Sequence, residues 1–181
     1  MERCSWCGSD PLYVHYHDTE WGVPERDARA LWEKLILDGF QAGLSWITIL
    51  KKREGFRRAY SGFNIDAVAA YGEDDRARLL ADAGIVRNKL KVNAAIENAR
   101  TLQRLRAEHG SFADWLDLHH PLPKAEWVKL FKRTFKFTGD EITGEFLMSL
   151  GYLPGAHTPD CPVYAKVAAL DPPWMQAERA A

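Results

Sequence analysis

Residues 88–108 read Asn-Lys-Leu-Lys-Val-Asn-Ala-Ala-Ile-Glu-Asn-Ala-Arg-Thr-Leu-Gln-Arg-Leu-Arg-Ala-Glu. Within them Val92, Ala95, Ile96, Ala99, Leu102 and Leu105 recur at three- and four-residue intervals, which lines them along one face of a helix. Segments on both sides repeat this pattern at shorter length. Upstream, residues 26–37 put Leu31, Trp32, Leu35 and Ile36 on one face, and residues 40–60 continue through Trp46, Ile47, Ile49 and Leu50. Asn64 reads as the N-cap of a short helix to Tyr71, and residues 74–83 carry Leu79 and Leu80 up to a stop at Gly84. Downstream, Ser111-x-x-Asp114 resembles a capping box, and Pro123 suits the first turn of the next helix. Thr138-Gly139-Asp140-Glu141 caps a helix over 140–150 that Gly151 ends, and a last short helix follows at 163–170. Continuous β-branched alternation is nearly absent, so the predicted fold class is all-α.

The chain has 181 residues, which suits one domain, here 1–170, with Asp171-Pro-Pro and the Ala-rich end (171–181) as a frayed, flexible tail. It is 46% apolar with a net charge of -1, which excludes disorder by composition and gives no whole-molecule pull toward nucleic acid. No apolar run of membrane-spanning length occurs, and the start Met-Glu-Arg-Cys-Ser-Trp-Cys-Gly has no apolar signal segment. The expectation is a cytoplasmic, monomeric protein with no membrane partner.

The Cys count is three, at 4, 7 and 161, which argues against a disulfide framework. Cys4-x2-Cys7 at one end and His157-x3-Cys161 at the other have metal-ligand spacing, and His15 and His17 lie close by. Spacing leaves two ligand sets open, Cys4/Cys7/His157/Cys161 and Cys4/His17/His157/Cys161. Either would hold zinc with four protein ligands, a structural site that staples the two ends.

Three further constellations stand out. Asp38-Gly-Phe-Gln-Ala-Gly-Leu-Ser-Trp46 places two glycines in an apolar helical run, each costing about 1 kcal/mol there. A local backbone approach to a ligand would explain them, with Leu44 as an exposed wedge and Asp38 a carboxylate near an aromatic ring. Trp6, Tyr13, Tyr16 and Trp21 sit in a polar segment that reads as non-periodic and turn-rich, suited to a pocket wall. Aromatic faces with a carboxylate fit a flat cationic ligand. Finally, basic residues gather at 51–58, at Gly84–Lys91 including Lys89, and at 129–136. The last run leads into a short hairpin within Phe135-Lys-Phe-Thr-Gly-Asp-Glu-Ile-Thr-Gly144, where backbone N–H groups at the helix start could hold a phosphate.

Cys4-x-Trp6, Tyr16-His-Asp-x-Glu-Trp-Gly-Val-Pro24, Gln41-Ala-Gly-Leu-Ser-Trp46, Lys51-x-Arg-Glu54, Gly84-Ile-x-Arg87 and Phe135-Lys-Phe137 together resemble the DNA-3-methyladenine glycosylase I family, in register from Met1 to about residue 167. The resemblance implies a helix-hairpin-helix glycosylase that hydrolyses the N-glycosidic bond of 3-methyladenine in alkylated double-stranded DNA after flipping the base, initiating base excision repair. It implies zinc on Cys4, His17, His157 and Cys161. It implies a base pocket of Trp6, Tyr13, Tyr16, Trp21 and Trp46, with Trp46 and Tyr16 stacking on the base and Asp38 as the catalytic acid. Gln41, Ala42, Gly43 and Leu44 would fill the gap left by the flipped nucleotide, while Lys89, Lys136, Thr138 and Gly139 would meet the DNA backbone. The family's characteristic pocket acid is Glu, one methylene longer than Asp38. Asp160, near where other helix-hairpin-helix glycosylases carry a catalytic Asp, reads as a metal-loop residue, and no lysine stands out as a nucleophile.

Overall fold

The computed structural model describes residues 2–181, and no strand occurs among them. The helices in chain order are α1 (Pro11–Thr19), α2 (Ala28–Gln41), α3 (Trp46–Lys51), α4 (Arg53–Ala59), α5 (Ile65–Ala69) and α6 (Glu73–Ala81). They continue with α7 (Lys89–His109), α8 (Phe112–His119), α9 (Lys124–Thr134), α10 (Asp140–Ser149), α11 (Tyr164–Ala169) and α12 (Pro173–Ala180). The two expected caps form, at Asn64 and Ser111, and Asn88 adds a third. The side chains of Asn64, Asn88 and Ser111 accept from the backbone N–H of Ala67, Lys91 and Asp114 at 3.0, 3.1 and 3.0 Å. Each such cap is worth about 1 kcal/mol.

The stripe on α7 is buried along its whole length, and α7 is the spine against which α2, α5, α6 and α8 pack. Trp32, Phe56, Trp127, Phe131 and Phe146 are fully enclosed in the same core. Burying a large apolar side chain of this kind contributes about 1.5–3 kcal/mol. Two smaller apolar clusters flank this core: Cys4 with Cys161, Val163 and Val167, and Tyr16 with Trp21 and Leu50. The first joins the two ends of the chain.

Helices α9 and α10 pack on each other across residues 135–139 and form the helix-hairpin-helix. Phe137 takes φ 55°, and Thr138 donates its hydroxyl to the Phe131 carbonyl at 2.9 Å. Asn98 of α7 clasps the hairpin from behind: it accepts from the Lys136 N–H at 2.8 Å and donates to the Lys136 carbonyl at 3.0 Å.

The structure departs from the sequence expectations in three places. Residues 11–19 are a helix, not a turn-rich segment: Asp10 accepts from the N–H groups of Leu12 and Tyr13, and Pro11 fills the first helical position. Gly39 does not interrupt α2, which runs on to Gln41; the break falls at 42–45, where Gly43 has φ 82°. Residues 173–180 form α12 in place of the flexible tail. Pro173 sits at its first position, the Trp174 N–H donates to the Gly151 carbonyl at 2.9 Å, and His120 Nε2 donates to the Pro173 carbonyl at 3.0 Å. No described helix is long and apolar enough to cross a membrane.

Candidate functional site

A cavity of about 530 Å³ opens between the 3-10 turn Ser5–Cys7, α1, the end of α2, the start of α3, α10 and the 155–156 loop. All five aromatic residues expected of the pocket line it, as do Asp38 and Gln41. Trp6 touches Tyr13, Tyr16 and Trp21, with ring centroids 5.2, 6.5 and 5.6 Å away. Tyr16 and Trp46 lie 5.4 Å apart at an interplanar angle of 52°. They form a corner and not two parallel plates, so a flat ring could stack on only one of them at a time.

Asp38 reaches the cavity from the last full turn of α2, and no described residue donates a hydrogen bond to its carboxylate. Burial pushes this acid well above the usual carboxylate range; Lys34, one turn earlier, opposes the shift and Glu145 adds to it. Burial also raises the Tyr16 hydroxyl far above its ordinary value, with the charge of Asp38 contributing. The neutral phenol is therefore the stable form, a donor facing the cavity.

Several lining residues went unnoticed in the sequence: Ser45, Glu141, Glu145, Met148, Gly155 and Ala156. All but Ser45 come from α10 and the loop after it, more than 90 residues beyond the aromatic segment. The only available signal was the pair Glu141 and Glu145, one turn apart on the same helix. Asp160 is exposed and does not line the cavity.

Beside the cavity, ligand atoms of Cys4, His17, His157 and Cys161 all lie within 4.8 Å of one another, and all four residues are buried. The separations His157 Nδ1–His17 Nε2, Cys161 Sγ–His17 Nε2, Cys4 Sγ–His157 Nδ1 and Cys161 Sγ–His157 Nδ1 are 3.2, 3.5, 3.8 and 3.8 Å. Metal–nitrogen bonds of about 2.0–2.1 Å and metal–sulfur bonds of about 2.3 Å give tetrahedron edges of roughly 3.3–3.8 Å, so the cluster has the dimensions to hold one ion. The remaining ring nitrogens are fixed: His17 Nδ1 meets Asp18 at 2.8 Å, and His157 Nε2 donates to the Trp21 carbonyl at 2.7 Å. Arg3 in turn grips Asp18 through two nitrogens. Such outer partners orient metal-binding imidazoles. Cys7 is buried outside the cluster, its thiol directed at the Cys4 carbonyl.

The loop Gln41–Leu44 protrudes next to the cavity, with Ala42, Gly43 and Leu44 exposed. Lys91 braces it from α7, donating to the carbonyls of Ala42 and Phe40 at 2.8 and 3.2 Å. Lys89 and Lys136 are exposed and have no ion-pair partner among the described residues. Thr138 is different from its expected placement: its side chain is buried, and its hydroxyl holds the hairpin together. That leaves its backbone N–H, which with that of Gly139 finds no acceptor among the described residues. The basic run at 51–58 is largely neutralised. Arg53 pairs with Glu20 at 2.7 Å and Glu33 at 3.3 Å, Arg57 with Glu33 at 2.5 Å and Glu54 at 2.6 Å.

A cavity of this make suits a flat cationic ring, and enzymes that do chemistry on a base, glycosylases among them, take it out of the stack into such a pocket. A sequence profile of methyladenine glycosylases matches residues 6–164. The chain is 41% identical to DNA-3-methyladenine glycosylase 1 of Escherichia coli K12, covering 91% of this chain and 97% of that one. It is 36% identical to DNA-3-methyladenine glycosylase of Haemophilus influenzae, covering 88% and 96%. Among solved structures, the 3-methyladenine DNA glycosylase I of Staphylococcus aureus aligns with a TM-score of 0.81 at 31% identity, over 88% of this chain and 95% of that one. A 3-methyladenine DNA glycosylase I variant solved in complex with 3-methyladenine aligns equally well, at 31% identity over 90% and 97%. The chain belongs to the methyladenine glycosylase family.

Proposed function

We propose that this protein is a monofunctional DNA-3-methyladenine glycosylase that takes the damaged base from alkylated double-stranded DNA into the aromatic cavity and hydrolyses its N-glycosidic bond. The observation that carries the reading is Asp38, a buried carboxylate without a protein partner, set among Trp6, Tyr13, Tyr16, Trp21 and Trp46. Methylation at N3 puts positive charge on the purine and weakens its bond to the sugar. When that bond breaks, its electron pair moves onto the ring and neutralises it; water adds at the sugar carbon and loses a proton to solvent.

The charge on the base fades as the bond breaks, so an acid that attracts the cation chiefly favours the extruded, bound state. Extrusion costs a few kcal/mol, and Asp38 with the aromatic walls offsets this for the methylated base more than for a neutral one. Gln41 to Leu44 fill the vacated stack, and Lys89, Lys136 and the N–H groups of Thr138 and Gly139 hold the phosphates. No lysine lines the cavity, in keeping with water as the nucleophile. The Cys4/His17/His157/Cys161 cluster holds zinc: two thiolates and two imidazoles suit that ion, and four protein ligands make the site structural. The protein works as a monomer in the cytoplasm.

The test is release of 3-methyladenine from methylated duplex DNA. Trp46→Ala and Asp38→Asn are each expected to lower it at least tenfold with helical content intact. Undiminished release by both variants removes the cavity from the reaction.

A further inference from the structure

The reaction described above uses one acid of the cavity, but Glu141 and Glu145 of α10 also line it; Glu141 is exposed, whereas Glu145 is half-buried. Glu145 projects from α10 into the space that Asp38 enters from α2, and these two helices pack together. We infer that Glu145 is a specificity-determining residue, a second carboxylate that reads the positive charge of the extruded purine together with Asp38. The inference deepens the glycosylase reading of this cavity and rests on it.

Three observations support it. Glu145 is half-buried, yet it has neither a hydrogen bond nor an ion pair among the described residues. A carboxylate partly withdrawn from water and without a partner is less well solvated than a free one, and a cationic ligand would compensate it. Second, no arginine, lysine or histidine lines the cavity. Of the nearby cations, Lys124 stands 3.5 Å from Asp140 and only partly offsets the raised acid of Glu145, and Lys34 lines a separate cleft with Glu20 and Arg53. Third, burial raises both acids, and the charge of Glu145 adds to the shift on Asp38. Like charges in one enclosure disfavour each other's ionisation. A cationic ring relieves both acids at once, whereas a neutral purine relieves neither.

The experiment compares wild type with Glu145→Gln, which keeps the size of the side chain and removes its charge. Two ligands are titrated by tryptophan fluorescence at pH 8 and low salt. One is 3,9-dimethyladeninium, a fixed cation whose 9-methyl stands for the sugar carbon; the other is free 3-methyladenine, which is neutral there. The expected result is a roughly tenfold loss of affinity for the cation in Glu145→Gln, with less than a twofold change for the neutral base. Equal weakening of both ligands, or no change in either, overturns the inference. Neither of those outcomes touches the glycosylase reading, which falls only if wild type fails to bind 3-methyladenine and fails to release it from methylated DNA; the inference falls with it. Glu145→Ala repeats the comparison, so that a folding defect in one variant does not decide it.

Discussion

His157 donates its Nε2–H to the carbonyl of Trp21 at 2.7 Å, and Trp21 donates its indole N–H to the carbonyl of Ala156 at 2.5 Å. One residue thus walls the cavity with its ring while its backbone fixes the tautomer of a Cys/His ligand. Between them Gly22, at φ 82°, is close enough to Ala156 that an added Cβ would lie 2.8 Å from that side chain. The Cys/His cluster and the aromatic wall therefore form one unit, and what loosens the first displaces the second.

Metal content follows from the ligand geometry. With zinc on the cluster as proposed, wild type carries one equivalent; Cys4→Ser and His157→Ala are expected to abolish it, lower the melting temperature by several degrees and weaken binding of free 3-methyladenine through Trp21. Cys7→Ser should keep its zinc, because Cys7 lies outside the cluster. Elemental analysis with thermal melts checks both; loss of metal in Cys7→Ser would contradict the ligand set.

Asp38 makes function and stability oppose each other. Burial raises its acid above the ordinary value despite Lys34, so the folded state holds the proton longer than the unfolded chain does. The resulting stability is complete below the unfolded value of about 3.9 and is lost as pH rises toward the folded one. Asp38→Asn removes this slope. Its melting temperature should match wild type near pH 4 and exceed it increasingly as pH rises, by about 2–4 °C per kcal/mol regained, even as excision falls. Thermal melts across pH 4–8 measure it; a variant less stable than wild type at pH 8 would show that the acid is satisfied in the fold.

Much of the fold was legible because α7 carries a long apolar period between a clear cap and a glycine stop, and no tertiary contact had to be guessed to read it. Helix α1 was not, because Tyr13 and Tyr16 point at a cavity while Leu12 is exposed, so its apolar residues make no clear buried stripe. The Asp10-Pro11 start signal was there but unsupported. At α12 the prolines that open the helix were read as part of a frayed tail. In the site, Trp6 through Trp46 lie close in sequence and could be grouped from it. Glu145 and Ala156 could not, since only the docking of α10 on α2 brings them in. The run 51–58 misled for the same reason: its acidic partners, Glu20 and Glu33, lie about 20 or more residues upstream.

The wedge and the basic contacts should separate by their salt behaviour. Leu44 is 40% exposed and its loop is held from behind by Lys91, so Leu44→Ala should alter stability by no more than about 0.5 kcal/mol. If the side chain fills the gap left by the base, the variant loses about tenfold in excision from duplex DNA and nothing in affinity for the free base. The loss should be the same at every salt concentration, since no charge is removed. Lys89→Ala and Lys136→Ala should instead each lower the slope of log affinity against log salt by about 1, weakening binding to all duplexes alike. Single-turnover excision and DNA titrations from low to moderate salt distinguish the two patterns. A salt-dependent defect in Leu44→Ala, or an unchanged slope in both lysine variants, would move the DNA path off the face shared by the wedge loop and the hairpin.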